Sequence, residues 1–124
     1  MKVLLSIKPE FVEKIFNGTK KYEYRKSLFK NNDIKTIVVY ASAPMKCVVG
    51  EFKIDDILSD DVKTVWEQTK KYSGITKEFY QSYFKQKKIA NAIKIGSVKK
   101  FNSPKTLFDY NISQAPQSFC YILD

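Results

Sequence analysis

Histidine is absent from the 124 residues of this chain. Without an imidazole ring there is no Ser–His–Asp or Cys–His catalytic arrangement, no imidazole general base and no histidine ligand for a metal ion. The sequence also lacks a P-loop and the G-x-G-x-x-G pattern of a dinucleotide-binding loop. Any catalysis must therefore use lysine, tyrosine, serine, threonine, cysteine, aspartate or glutamate.

Cysteine is scarce, and long apolar runs are missing. Cys47 and Cys120 lie far apart, without the spacing of a metal site, which predicts two buried free thiols in a reducing compartment. The apolar start, residues 1–7, is too short for a signal peptide, and no later run approaches the length of a transmembrane helix. These features predict a soluble cytoplasmic protein with no membrane partner, no metal and no cofactor.

Arginine occurs once, at Arg25, among 22 lysine and arginine residues. A guanidinium grips phosphate, carboxylate or a base edge with two parallel hydrogen bonds, which a lysine cannot reproduce. A genome biased toward lysine codons would produce the same composition. Arg25 nevertheless lies in the densest polar segment of the chain, residues 20–26, and this position favours a functional role for its side chain.

The charge balance is strongly basic, with a formal net charge of +9 and a pI near 9.5. It predicts a polyanionic partner, nucleic acid before an acidic membrane surface; the alternative is that excess lysine only keeps the protein soluble. The length and the 44% hydrophobic content predict one folded domain over residues 1–124, with a core that needs neither disulfide nor metal.

Apolar periodicity and turn residues predict a mixed α+β fold. Predicted helices cover residues 10–17, ending at Gly18, and two further segments whose N-caps are Asp60 or Asp61 and Thr76. A turn is predicted at Ser103-Pro104. Strands are predicted at residues 2–7, 21–26, 34–40, 47–57, 89–101 and 118–123. Such short strands favour a small closed or nearly closed β-barrel of about five to seven strands, with a short helix after the first strand and two helices inserted in the middle.

Three strand segments carry more detailed expectations. Alternation over residues 21–26 predicts that Tyr22 and Tyr24 face one way, and Glu23 and Arg25 the other. The continuous apolar run at residues 37–40 predicts a central strand buried on both faces. Gly50, inside the next strand, predicts a bulge or a close backbone approach.

The order of several short segments resembles the ASCH domain family, which belongs to the PUA-like β-barrel superfamily. The segments that carry the resemblance are residues 5–9, 17–21, 22–26, 40–44, 49–52 and 115–121. The resemblance implies a barrel with a cleft beside the first helix, where residues 18–26 meet the loop at Ser42. It also implies RNA binding, or amidohydrolase activity on acetylated cytidine in some small members. The lysine of that enzyme aligns with Lys20, its threonine aligns with Glu23, and its glutamate has no secure match.

The candidate binding residues are polar side chains expected around this cleft. Lysine at a helix start is unfavourable unless it contacts an anion, and Glu23 is spaced to orient Arg25. Gln117 and Ser118 are included because of the family resemblance. The predicted RNA- or ligand-binding set is Lys8, Lys20, Glu23, Arg25, Ser42, Lys46, Gln117 and Ser118.

The leading hypothesis is a cytoplasmic RNA- or nucleotide-binding domain that regulates translation or transcription through a cationic cleft. One alternative is a small amidohydrolase acting on a modified nucleoside such as acetylated cytidine, with Lys20 as its base or as the activator of its nucleophile. A second alternative is a regulator that binds proteins and never touches nucleic acid. The sequence leaves these three functions open.

Overall fold

The computed structural model describes residues 1–123 and has the predicted mixed α+β composition. The strands are β1 (Lys2–Ile7), β2 (Tyr22–Arg25), β3 (Thr36–Ala41), β4 (Cys47–Asp61), β5 (Ile89–Lys105) and β6 (Phe119–Ile122). The α-helices are α1 (Pro9–Phe16), α2 (Val62–Thr69) and α3 (Lys77–Tyr83), and short 3₁₀ helices cover Lys70–Tyr72 and Leu107–Tyr110. As predicted, one helix follows the first strand and two lie in the middle of the chain.

The six strands form one sheet in the order β2–β5–β4–β3–β1–β6. β1 and β3 are parallel, and the other neighbouring pairs are antiparallel. The number of strands agrees with the prediction, but the predicted barrel closure does not. Within residues 1–123 the short edge strands β2 and β6 form no backbone ladder with each other, and side chains described below bridge the gap between them.

β3 is the central strand that its apolar run predicted. All six of its residues are buried, and its side chains alternate between two core clusters. Ile37 and Val39 belong to the cluster beneath α1, whereas Val38 and Tyr40 pack on the opposite face against Leu4. Burial on both faces explains why this segment carries no polar alternation.

The β4–β5 pair is longer than the sequence predicted, and it contains the segment expected to turn. Gly50 pairs with Lys100 and Val48 with Lys105, so residues 101–104 lie opposite the single residue Val49. Pro104 therefore sits in an irregular stretch of the strand, where its missing N–H removes no regular ladder bond. The predicted Ser103-Pro104 turn is wrong, because this bulge accommodates the proline without ending the strand.

Gly50 makes the predicted close approach as well as marking a register shift. A Cβ atom at this position would collide with the carbonyl oxygen of Lys99 and would lie 2.6 Å from the ring of Phe16. The absence of a side chain at Gly50 therefore lets α1 pack directly on the sheet.

The helix starts agree with the capping residues that the sequence offered. Of the two aspartates considered, Asp61 caps α2, and its carboxylate accepts a hydrogen bond of 2.8 Å from the Thr64 amide. Thr76 caps α3 by accepting a bond of 3.0 Å from the Phe79 amide. Both caps satisfy amide groups that the first turn of a helix leaves without partners.

Two further expectations concern the burial of the cysteines and the length of the helices. Cys47 and Cys120 are free thiols, and both are half-buried instead of fully buried as predicted. Burial raises the pKa of the Cys120 thiol, which favours its neutral form. Among residues 1–123, every helix is too short to span a bilayer.

Candidate functional site

A pocket of about 290 Å³ lies where the end of β1, the start of α1, β2 and α3 meet. We call it the Lys20 pocket. Its polar lining is provided by Ser6, Lys8, Lys20, Glu23, Arg25 and Gln117. Its apolar and aromatic lining is provided by Ile7, Phe11, Tyr24, Ile75, Phe79 and Tyr83. The pocket thus combines aromatic walls with a small number of charged groups, as ligand sites generally do.

β2 supplies a buried ion pair because its side chains alternate as predicted. Tyr24 belongs to the aromatic core formed with α2 and α3, and its hydroxyl is 2.7 Å from the Thr69 hydroxyl. Glu23 and Arg25 face the other way and contact each other at 3.2 Å, between Oε2 and Nη1. Their side chains are only 7% and 10% exposed, so this pair is shielded from the solvent that weakens surface ion pairs.

The Arg25 guanidinium connects the two edges of the open sheet. Nη1 donates to the carbonyl oxygen of Ser6 at the end of β1, at 3.3 Å. Nη2 donates to the carbonyl oxygen and to the hydroxyl of Ser118, at 3.0 and 3.2 Å, just before β6. Together with the bond to Glu23, these contacts tie β2 to β1 and β6, and we call them the Arg25 clasp.

Lys20 is a buried amine inside the same pocket, with only 2% of its surface exposed. Its Nζ donates to the carbonyl oxygen of Ser73 at 2.8 Å and lies 5.2 and 4.8 Å from the ring centres of Phe11 and Tyr24. Burial lowers the pKa of Lys20 to about 8, while the nearby carboxylate of Glu23 raises it less strongly. The amine is therefore partly neutral near physiological pH.

The loop that holds Lys20 approaches it unusually closely. Gly74 has a φ of +69°, and a Cβ atom there would lie 2.5 Å from Cβ of Lys20. Both the backbone conformation and the missing side chain thus suit glycine. The Gly74 carbonyl also accepts a bond of 3.0 Å from Nζ of Lys14. Two lysines therefore hold the backbone of residues 73–74 against the pocket.

Glu23 retains acceptor capacity toward the pocket. Its Oε2 accepts from Arg25, whereas Oε1 accepts no hydrogen bond from residues 1–123. A bound molecule with an N–H or O–H group can therefore donate to this oxygen. In the described part of the chain, acidic and cysteine side chains form no cluster that could hold a metal ion.

The structure brings five of the eight predicted site residues into the Lys20 pocket, namely Lys8, Lys20, Glu23, Arg25 and Gln117. Ser118 lies behind them and accepts from Arg25.

Ser42 and Lys46 lie elsewhere, on the turn before β4. The Ser42 amide donates to the carbonyl oxygen of Ile7, and Lys46 is exposed with a φ of +53°. This turn borders a second groove, which is lined by Val12 and Phe16 of α1. Phe11 of the same helix lines the Lys20 pocket instead. The helix therefore separates the turn from the Lys20 pocket.

The aromatic wall from α3 is the part of the site that sequence reasoning missed. The helical spacing of Phe79, Tyr80, Tyr83 and Phe84 predicts one buried stripe, but these residues form two rows at i, i+4 spacing. Tyr80 and Phe84 are buried in the core, whereas Phe79 and Tyr83 are half-buried and line the pocket. A stripe of four aromatic residues is wider than one face packed on the core requires. This width was the feature of the sequence that could have indicated a second row of aromatic residues lining a pocket.

A family profile, a solved structure and a named relative all indicate the same family. The ASCH domain family profile matches residues 5–99 of the chain. The crystal structure of ASCH from Zymomonas mobilis has 26% sequence identity and a TM-score of 0.89, covering 98% of this chain and 87% of that chain. The ASCH domain-containing ribonuclease of Zymomonas mobilis is 29% identical over 89 residues, which is 72% of this chain and 60% of that protein.

Two relatives from Ureaplasma parvum are much longer proteins. Large ribosomal subunit protein uL22 is 28% identical over 120 residues, or 97% of this chain, but the match spans only 39% of that protein. ATP synthase subunit alpha is 30% identical over 121 residues, again 97% of this chain, and the match spans 15% of that protein. The chain therefore corresponds to a minor part of each of these two relatives.

The first prediction concerns the Arg25 clasp. Arg25→Lys should lower the free energy of unfolding by about 3 kcal/mol, because one ammonium group cannot serve Glu23, Ser6 and Ser118 together. Urea unfolding measures the change. The exposed control Lys63→Gln should stay within about 0.5 kcal/mol of the wild type. An Arg25→Lys protein as stable as the wild type would show that the clasp does not hold the sheet edges.

The second prediction concerns the buried amine. The pKa of Lys20 is about 8 in the folded chain and near 10.5 when unfolded, so between these values the unfolded chain binds the extra proton. Raising the pH across this window should therefore stabilise the wild type by roughly 3 kcal/mol relative to Lys20→Met. Urea unfolding of both proteins at several pH values measures the difference, and other titrating groups cancel in it. A constant difference would contradict the lowered pKa.

Proposed function

We propose that this chain, which belongs to the ASCH domain family, binds RNA by taking one unpaired nucleotide into the Lys20 pocket. A relative from Zymomonas mobilis is named as an ASCH domain-containing ribonuclease, and this name favours RNA over other polyanions. The net charge of +9 is consistent with such a ligand. A cytoplasmic location and a role in regulating translation or transcription belong to the same proposal.

The observation that carries the proposal is the convergence of aromatic walls and buried charges in one small pocket. Phe11, Tyr24, Phe79 and Tyr83 offer ring faces and edges against which a base can pack. A volume of about 290 Å³ lies at the lower end of the range for small-molecule sites and suits a single nucleotide. A duplex would keep its bases stacked and out of reach.

The polar groups match the edge of a nucleobase. A lysine ammonium has three N–H donors, and Lys20 uses one of them on Ser73. Oε1 of Glu23 is available as an acceptor beside it. Every base presents both donors and acceptors on its Watson–Crick edge, so an unpaired base can satisfy both side chains at once.

The third prediction tests binding directly. Single-stranded RNA should bind more tightly than a duplex of the same sequence, and its affinity should fall steeply as salt is added. Phe79→Ala should weaken the binding by roughly tenfold or more, because a stacking surface is removed. Fluorescence anisotropy with a labelled oligonucleotide measures all three effects.

Phe108→Ala is the matched control for this experiment. Phe108 is an aromatic residue 80% exposed and outside the pocket, so its removal should leave the affinity unchanged. The RNA-binding proposal is wrong if the wild type binds no RNA. It is also wrong if the affinity changes neither with salt nor in Phe79→Ala. A regulator that binds only proteins would then be the better hypothesis.

A second candidate function is hydrolysis, and the lowered pKa of Lys20 favours it. With a pKa of about 8, roughly a tenth of the amine is neutral at pH 7 and able to accept a proton. In RNA cleavage Lys20 would accept the proton of a ribose 2′-hydroxyl as that oxygen attacks the adjacent phosphorus. The P–O5′ bond would break, a 2′,3′-cyclic phosphate would form, and the 5′-oxygen would take up a proton.

The same amine would act as base in the amidohydrolase alternative, where the acetyl amide of a modified cytidine is hydrolysed. That reaction has weaker support here, because Glu23 stands where those enzymes have threonine. The relative named as a ribonuclease also favours phosphodiester cleavage.

The fourth prediction distinguishes these reactions from binding alone. Cleavage of single-stranded RNA should increase as the pH rises to about 8 and then level off, because the neutral amine is the active form. Lys20→Ala should abolish cleavage, and a 2′-deoxy substrate should resist it. Acetylated cytidine, incubated in parallel, tests the amidohydrolase reaction. If both the RNA and the acetylated cytidine remain intact, the result supports a binding domain without catalytic activity.

A further inference from the structure

Four side chains form a continuous band along one rim of the Lys20 pocket. The Nζ of Lys8 lies 5.2 Å from the ring centre of Phe79, and the Nζ of Lys26 lies 4.7 Å from the ring centre of Tyr83. The two rings stack on each other, with centres 6.3 Å apart and planes 12° from parallel. We call the band Lys8–Phe79–Tyr83–Lys26 the rim ladder.

We propose that the rim ladder binds the two phosphates that flank the nucleotide in the Lys20 pocket, one at Lys8 and one at Lys26. The domain would then recognise an internal nucleotide of a continuous RNA strand, not a strand end or a free nucleotide. This inference rests on the proposed RNA-binding function and specifies its substrate. It also adds Lys26, which contributes nothing to the pocket lining itself.

The two amines are available for an anion. Both lysines are exposed, and in the described part of the chain neither amine has a hydrogen bond or an ion pair. Among residues 1–123, three other lysines are paired with carboxylates, for example Lys2 with Glu51 at 3.2 Å and Lys70 with Glu67 at 2.8 Å. The rim ladder therefore carries two charges that no protein group compensates.

The aromatic rings hold these amines in place before a ligand arrives. A cation over the face of an aromatic ring is attracted by the ring, and this attraction restricts the flexible lysine side chain. Less conformational freedom is then lost when a phosphate binds. The rings keep the charges beside the pocket without neutralising them, as a carboxylate would.

One lysine lies on each of the two stacked rings, and together they define a path for the bound RNA strand. Phe79 and Tyr83 both line the pocket, so each amine lies on an aromatic ring of the pocket wall. Lys8 is held there by the junction of β1 and α1, and Lys26 follows β2 directly after Arg25. An RNA strand that contacts both amines would pass along these two stacked rings, where one base can turn into the pocket.

The fifth prediction tests both phosphate contacts through the salt dependence of binding. The slope of log affinity against log salt concentration for a single-stranded RNA should fall by about 0.7 for Lys8→Gln and by the same amount for Lys26→Gln. The double variant should lose about 1.4. Fluorescence anisotropy with a labelled heptanucleotide over a salt series gives the slopes. Lys8→Arg and Lys26→Arg, which keep the charge, should retain the wild-type slope.

Lys63→Gln removes an exposed lysine of α2, outside the pocket, and should not change the slope. A loss at only one rim lysine would overturn the inference, because it indicates a strand end. Unchanged slopes in both variants would also overturn it, while RNA binding that still depends on Phe79 would leave the proposed function intact. Absence of RNA binding by the wild type would overturn the function and the inference together.

Discussion

The rest of the site depends on the hydrogen bonds and the ion pair made by the Arg25 guanidinium. One planar group donates to Glu23 and to backbone or side-chain oxygens at Ser6 and Ser118, so a four-residue strand at one edge is held to the other edge of the sheet. No backbone ladder in residues 1–123 does this. The pocket wall formed by β2 follows from that closure, and the fork geometry of arginine explains why lysine, used everywhere else, is absent here.

The position of Lys20 in the pocket lowers the stability of the fold. Burying an amine is unfavourable, and here it is offset by one carbonyl acceptor, two aromatic rings and the carboxylate of Glu23. Gly74 permits the loop to come close enough to supply that acceptor. Strongly shifted groups of this kind concentrate at functional sites, where chemistry and not stability selects the residue.

Sequence reasoning was most successful where local chemistry decides structure. Strand β1, the central strand β3, the caps Asp61 and Thr76, and the close approach at Gly50 were all predicted, because apolar periodicity, capping and missing side chains act over a few residues. It failed at Pro104, where pairing with β4 outweighs the local turn tendency, and at barrel closure, which depends on contacts between distant strands.

The sequence by itself determined the residue types available to the site: no imidazole, one guanidinium, many amines and an alternating β2. It also carried the family resemblance that the matched profile supports. Only the tertiary structure decided which of these residues meet. It joined Lys8, Lys20, Glu23, Arg25 and Gln117 in one pocket, left Ser42 and Lys46 beyond α1, and divided the aromatics of α3 between core and site. Spacing along the chain fixes a side chain's direction within its element, whereas convergence depends on how the elements pack.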